Sequence, residues 1–457
     1  MNFAAWIAQM NGYPMSPNQP SALLVGVDPY AIRACLRNGI KPVVVCPPGM
    51  FDNGYIVLPD EVEAIFCEDA TNMESALSSL RRSGFADREF AFIQTSHEDV
   101  LVVTSVLAKV LGTPGMDPDV ALPFRDKWLQ KRVVAAAGVD VAMSQILDDI
   151  YHPNLAGILD FDKAVLKPIA GAGTMNTSIV HGREELLARC EEYRRSGMPQ
   201  RTFVLEEFIA GDEWIADGVV FDGNVQFLSI SSYAQPCLSV VASNTLLQKE
   251  IFDPTADADV YKIAMPVVEA ALRALGLRHG VFHMELFRQE QTEKLVFGEC
   301  AARRGGGVTQ ELVEHKFGVD LGEAAIRCAA GIDPQIRPSV RPETVGSTFL
   351  ASRPGILVSH PSPAEIRELP GVEYVRLDLP YGFRMADELS NTVEGAGQVM
   401  LSGSTREEFR SRREFLTRWF DERLVVIPAG AANRDLRRWQ AGNWPESASS
   451  FSGYSRG

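Results

Sequence analysis

Glu285, Glu299 and Arg303 are the residues of this 457-residue chain whose types and spacing most plainly suggest chemistry. His283-Met284-Glu285 lies in one apolar run, and Glu299, Ala301 and Arg303 lie in or just past another, followed by Gly305-Gly306-Gly307. Side chains alternate along a strand, so His283 shares a face with Glu285, and Glu299 shares one with Ala301 and Arg303. A hairpin of the two runs would bring two carboxylates and a guanidinium into one pocket. Close carboxylates repel unless a cation offsets them. Mg²⁺ suits such a place, because it binds through one or two carboxylates together with phosphate oxygens. A surface hairpin with scattered charges is the competing reading; the arginines and glycines after a buried-looking strand count against it. Met284 and Leu286 read as core, His283 as a structural histidine, and Cys300 alternates away from Glu299.

Three other features are individually weak. Lys167-Pro168 runs into Gly171-Ala172-Gly173-Thr174, where a strand end meets a small-residue loop. Backbone N–H groups of such a loop can close over phosphate oxygens while the lysine supplies charge, although a flexible turn explains the pattern equally well. Arg125-Asp126-Lys127 opens a helix; Lys127 could reach a phosphate or end a solvated helix. Glu206-Glu207-Phe208-Ile209, followed by Gly211 and Glu213, is an apolar strand carrying acids. Its backbone edge could hold a base and a carboxylate could hold a ribose, or its acids could be solvated.

The elements that must position these residues fall into different styles. Ser21–Val27 and Lys41–Cys46 are apolar runs separated by a helical stretch, and this alternation continues to about residue 112, which predicts a parallel sheet with covering helices. The first turn, Gly26-Val27-Asp28-Pro29, lacks the glycine pattern of a dinucleotide site. The breaker-rich stretch Pro114–Pro123 reads as a boundary. Beyond it a helix at about 125–137, strands near 164–166, 202–209 and 214–221, a tight turn at Asp222-Gly223-Asn224 and a hairpin joining 281–287 to 294–301 read as antiparallel α+β material. A third segment, opened by Pro334, Pro338 and Pro342, carries strand-like runs and a charged helix near 405–420. The expected division is 1–118, 119–332 and 333–430, with a flexible tail over 431–457.

Composition bounds the function. Apolar residues make up 46% of the chain and charged residues 23%, as in folded globular proteins. A net charge of −15 disfavours nucleic acid, and the densest basic stretch, Arg406–Arg413, interleaves glutamates as a solvated helix would. Seven widely spaced cysteines without a C-x-x-C disfavour disulfides and zinc, so a cytoplasmic compartment is expected. No apolar run reads as a signal peptide or membrane span.

Taken in order, the segments FRDKWLQKRVVAAAGV, VLKPIAGAGTMNT, VLEEFIAGDEW, GVFHMEL and FGECAARRGGG resemble the ATP-grasp superfamily, within it the amino-acid ligases and related natural-product ligases. The resemblance runs from about residue 20 to 330. It implies an N-terminal Rossmann-like domain, a two-lobed ATP-binding region and a C-terminal lobe. It implies ATP and Mg²⁺, or Mn²⁺ in its place. By motif, Lys127 and Lys167 would hold phosphates under a loop containing Gly171, Gly173 and Thr174. The backbone of Glu206 and Ile209 would hold adenine, and Glu213 the ribose. Glu285 and Glu299 would ligate metal, and Arg303 would stabilise the reacting groups, with Lys167 assisting. Where many members carry a metal-binding asparagine, this chain has Ala301.

The activity implied is ATP-dependent joining of a carboxylate to an amine through an acyl phosphate, on small-molecule substrates such as amino acids, without nucleic acid or membrane. A homodimer is the base-rate expectation. Substrate choice is expected near Ser229–Ser239, near Arg303–Val308 and in the third segment. The alternatives are a bicarbonate-activating carboxylase-type enzyme and a non-catalytic nucleotide-binding module.

Overall fold

The computed structural model describes residues 19–430 apart from 51–57, 159–160, 378, 386–390, 393–394 and 429. The expected tail and the N-terminal stretch read for a leader lie outside the described residues.

The first sheet is parallel, in the order β3-β2-β1-β4, from β1 (Ser21–Val25), β2 (Lys41–Cys46), β3 (Glu63–Phe66) and β4 (Phe92–Gln94). Every residue of β1 is buried, as are Val43, Val44 and Val45 of β2. This is the continuous apolar signature of strands covered on both faces. The chain passes from β1 outward to β2 and β3 before returning beside β1 as β4, so the direction of winding reverses between β1 and β4. A crevice opens at the carboxyl ends of strands at such a point. Asp28 and Glu98 follow β1 and β4 there.

The breaker-rich stretch 114–123 is largely helical. Asp117 caps a helix at Pro118–Arg125, and Pro118 stands in its first turn, where no intrahelical N–H is needed. Asp126 caps the next helix, Lys127–Ala136, by accepting from the Leu129 amide at 2.8 Å.

A small antiparallel sheet follows, ordered β5-β8-β6-β7, from β5 (Ser144–Leu147), β6 (Ala164–Pro168), β7 (Ser178–Val180) and β8 (Phe203–Glu207). The largest sheet is antiparallel throughout. Its first five strands are β9 (Gly211–Phe221), β10 (Asn224–Tyr233), β11 (Gln248–Ile251), β12 (Gly280–Gln289) and β13 (Leu295–Ala301). Asp222 and Gly223, both with positive φ, make the two-residue turn between β9 and β10. The third segment contributes β14 (Thr344–Leu350), β15 (Gly355–Ser359), β16 (Val372–Leu377), β17 (Arg384–Met385), β18 (Gly397–Gly403) and β19 (Val425–Ile427). Of these, β14, β18 and β16 extend the large sheet, giving β13-β12-β9-β10-β11-β14-β18-β16, while β17-β15-β19 pair separately.

The charged helix, Arg406–Arg423, is not simply solvated. Phe409, Leu416 and Phe420 are fully buried, and Arg406 and Arg410 pair with Glu250 of β11 rather than along their own helix. Its apolar stripe holds the helix on the sheet, which brings its arginines to a strand.

Candidate active site

The hairpin β12–β13 aligns Glu285 directly with Glu299 and His283 with Ala301. Opposed residues have Cβ atoms about 5 Å apart, so the carboxylates share one face. A bulge follows the acid pair: the register shifts at Glu285/Leu286, leaving Gly298 unmatched. The Gly298 carbonyl accepts from Lys131 Nζ at 2.6 Å. Lys131 is almost wholly buried and lies one helical turn beyond Lys127 on the same helix.

Three lysines converge on two glutamates. Lys127 Nζ stands 2.9 Å from Glu299, Lys167 Nζ 3.5 Å from Glu299 and 3.0 Å from Glu206, and Lys131 Nζ 3.4 Å from Glu206. Lys127 is buried and also donates to the Gly171 carbonyl at 3.0 Å, so it does not end a solvated helix. Burial works against the charge of Lys167, but Glu206 and Glu299 outweigh it and hold its ammonium above the ordinary range. Burial wins at Lys131 and lowers its pKa. Burial also opposes ionisation of Glu299, yet Lys127 and Lys167 hold it far below the ordinary carboxylate range. Glu285 is pushed well up, by burial first and then by Glu299 and Glu213.

In this acid pair the lysines prevail at Glu299, whereas at Glu285 burial and the neighbouring acids outweigh them. Among the described residues no group of three or more His, Cys, Asp or Glu is arranged to hold a metal. Two opposed carboxylates without a protein cage fit Mg²⁺, whose remaining positions go to waters and phosphate oxygens.

The residues that the motifs assign to the site all line one cavity of about 470 Å³: Lys127, Lys167, Gly171, Gly173, Thr174, Glu206, Ile209, Glu213, Glu285, Glu299 and Arg303. The Glu213 carboxylate is buried and accepts from the Cys237 amide at 2.8 Å. The small-residue loop reaches across the cavity to the third segment, where Thr174 Oγ1 accepts from the Thr392 amide at 3.0 Å.

Most other residues of the site carried no local signal in the sequence. Glu98 pairs with Arg303 at 2.6 Å and Arg125 at 3.3 Å, and Asp28 pairs with Arg304 at 2.9 Å. The crevice of the first sheet thus supplies the acids that hold the arginines following β13. His283 Nδ1 lies 2.7 Å from Asp217 of β9, and Asp217 also accepts from Lys249 of β11 at 3.2 Å. Gly305 lies over this group: a Cβ there would come within 2.8 Å of His283, Asp217 and Thr309. These contacts join residues distant in sequence, although a histidine at two-residue spacing from an acid was a visible hint.

Residues 162–311 match the family model described as the ATP-grasp domain. The chain is 26% identical over 329 residues to an L-arginine-specific L-amino acid ligase of Bacillus subtilis, an alignment covering 71% of this chain and 76% of that protein. Its structure is similar to that of an L-amino acid ligase from Bacillus licheniformis, with a TM-score of 0.71 at 19% identity over 90% of this chain and 100% of the other. It is also similar to carboxyaminoimidazole ribonucleotide synthase of Aspergillus clavatus complexed with ATP, with a TM-score of 0.66 at 14% identity over 89% and 99%. The chain carries an ATP-grasp domain and has the ATP-grasp fold.

Proposed function

We propose that this protein is an ATP- and Mg²⁺-dependent ligase that joins a carboxylate to an amine, releasing ADP and phosphate. The observation that carries the reading is the convergence of Lys127, Lys167, Glu285, Glu299 and Arg303 on one cavity beneath a glycine loop. The likeness to a protein named as an amino acid ligase supports it.

Lys127 and Lys167 bind the phosphates of ATP, and the loop with Gly171, Gly173 and Thr174 closes over them. The backbone of Glu206 and Ile209 holds the adenine, and Glu213 the ribose. Glu285 and Glu299 hold Mg²⁺, which when bound offsets phosphate charge. An oxygen of the substrate carboxylate attacks the γ-phosphorus and ADP leaves; the amine then attacks the acyl carbon and phosphate leaves. Arg303 stabilises the negative charge of both steps from a fixed position, which is electrostatic catalysis. Thr174 and Thr392 keep the loop shut and water out while the acyl phosphate exists.

The test is ADP and phosphate release from ATP–Mg²⁺ against the common amino acids, singly and in pairs, with products weighed by mass spectrometry. A product equal to the two substrates minus water is expected. ADP release that depends on bicarbonate instead would favour the carboxylase-type activity, and ATP binding without turnover a binding module.

A further inference from the structure

Glu299 stands on β13, the edge strand of the large sheet. An edge strand turns outward a row of N–H and C=O groups that no further strand pairs. Here a helix takes that place. Gln130 and Lys131 lie three and four residues beyond Lys127 on the helix Lys127–Ala136, and so on the same side of it. The Gln130 side-chain amide bonds Cys300 in both directions: Nε2 donates to the Cys300 carbonyl at 2.7 Å, and Oε1 accepts from the Cys300 N–H at 2.8 Å. Lys131 Nζ donates to the Gly298 carbonyl at 2.6 Å, and Lys127 Nζ stands 2.9 Å from the Glu299 carboxylate. Residues 298, 299 and 300 are each fastened to one helix.

Gln130 is 3% exposed, so water does not compete for these bonds. Its second amide proton goes to the Pro123 carbonyl at 2.9 Å, in the preceding helix. In a continuous helix that carbonyl would accept from the Lys127 N–H, but the Lys127 N–H turns away to the Ile169 carbonyl at 3.0 Å. Ile169 follows Lys167 by two residues. The helix start is therefore tied to the strand of Lys167, and its next turn to the strand of Glu299. Gln130 carries no charge and is not one of the residues lining the cavity. Whatever it does for the site, it does through Cys300.

We propose that Gln130 is a positioning residue: its amide stands in for a neighbouring strand at β13 and sets Glu299 against Lys127, so that the metal acid and the two phosphate lysines form one rigid frame. This rests on the ligase reading, in which Glu299 holds Mg²⁺ and the lysines hold phosphates, and adds the group that fixes their spacing. Without the amide the carboxylate keeps its charge, but β13 must be ordered when Mg²⁺ and ATP arrive together, and that ordering is taken from the affinity. Groups that orient a metal ligand without touching the metal typically contribute 10- to 100-fold to affinity or activity.

The experiment compares wild type, Gln130→Met, Gln130→Asn and Val134→Ala. Methionine matches the length of glutamine without its polar atoms, and asparagine carries the amide on an arm one carbon too short. Val134→Ala loosens the same helix from the apolar core and leaves the bonds to β13 in place. Calorimetry measures the affinity for a non-hydrolysable ATP analogue with saturating Mg²⁺ and with EDTA; the ratio is the gain that Mg²⁺ brings. Hydrogen exchange of the Cys300 amide is followed in metal-free protein. In the Gln130 variants the Mg²⁺ gain should fall roughly 10-fold, with affinity in EDTA within a factor of a few of wild type, and the Cys300 amide should exchange faster. The kcat for ADP release should fall by a similar factor. Val134→Ala should melt lower than wild type and keep the full Mg²⁺ gain. Should Gln130→Met fail to fold, Gln130→Asn, which keeps a polar group near the buried backbone, decides the matter. A wild-type Mg²⁺ gain or unchanged Cys300 protection in a folded Gln130 variant, or the same loss of gain in Val134→Ala, would overturn this inference alone. Wild-type protein whose affinity for the analogue is indifferent to Mg²⁺ would overturn the metal-site reading and this inference with it.

Discussion

At the scale of single residues, Glu299 is the most heavily committed group, facing Glu285 across the hairpin and two lysines across the cavity. Glu299→Gln keeps the shape and removes the charge. It should lower kcat by at least about 100-fold, the size of loss seen when one electrostatic contact to a reacting group is removed, with an unchanged circular dichroism spectrum. A folded variant with full activity would sink the metal-site assignment. Arg303→Ala should likewise lower kcat by about 100-fold while leaving the KM for ATP within a factor of a few; a change confined to ATP affinity would count against its role on the reacting groups. Asp217 makes a prediction about pH. Burial opposes its charge, but Lys249 and His283 outweigh burial and place its pKa at about 2, below the ordinary 3.8. A depressed carboxylate pKa contributes stability that is present above the unfolded value and is lost as pH falls toward the folded one. Urea unfolding should therefore lose about 2 kcal/mol from this group between about pH 4 and pH 2. Asp217→Asn should flatten that part of the profile, and an identical slope in the variant would argue against the ion pair.

Elements explain what could be read from the chain and what could not. The hairpin of Glu285 and Glu299 was legible because alternation fixes faces over a few residues, and the observed register opposes the two acids. Lys131 and Glu98 were not legible. Lys131 matters through a bulge carbonyl at Gly298 and Glu98 through an arginine 205 residues away. Pairings of that separation are set by sheet order, which a local pattern does not encode. Within the breaker-rich stretch 114–123 the helix at Pro118–Arg125 was not legible for a related reason, since Asp-Pro punctuates a loop and opens a helix with the same residues. The glycine loop gives this scale its prediction. Thr174→Val removes the hydroxyl that accepts from the Thr392 amide. If that contact keeps the loop shut, the variant should release phosphate without forming a matching amount of amide, by roughly 5-fold more than wild type for the loss of about 1 kcal/mol. Equal coupling in both proteins would assign closure to other contacts.

Over the whole molecule, the sheet that carries the acids does not end at β11. It runs on through β14, β18 and β16, so the third segment is continuous with the nucleotide-binding half in hydrogen bonding. A chain truncated after residue 332 would leave the outer edge of β11 unpaired and expose apolar surface otherwise covered by Val345, Phe349 and Met400. Exposed strand edges recruit other chains. The truncated protein is expected to aggregate on expression, and a monodisperse, ATP-binding product by light scattering and calorimetry would contradict that.

The pairing of Glu98 with two arginines bears on how such a protein could be re-engineered. The first sheet looks like a detachable module, yet its two crevice acids neutralise guanidinium groups that belong to the other half. A chimera that borrowed this sheet from a distant donor would inherit the strands without the counter-charges. Arg303 and Arg304 would then stand partly buried without a carboxylate partner, and Arg303 would be free to swing out of the cavity it lines. Module exchange in this architecture is therefore constrained less by matching backbone lengths than by transplanting two carboxylates at the tips of β1 and β4.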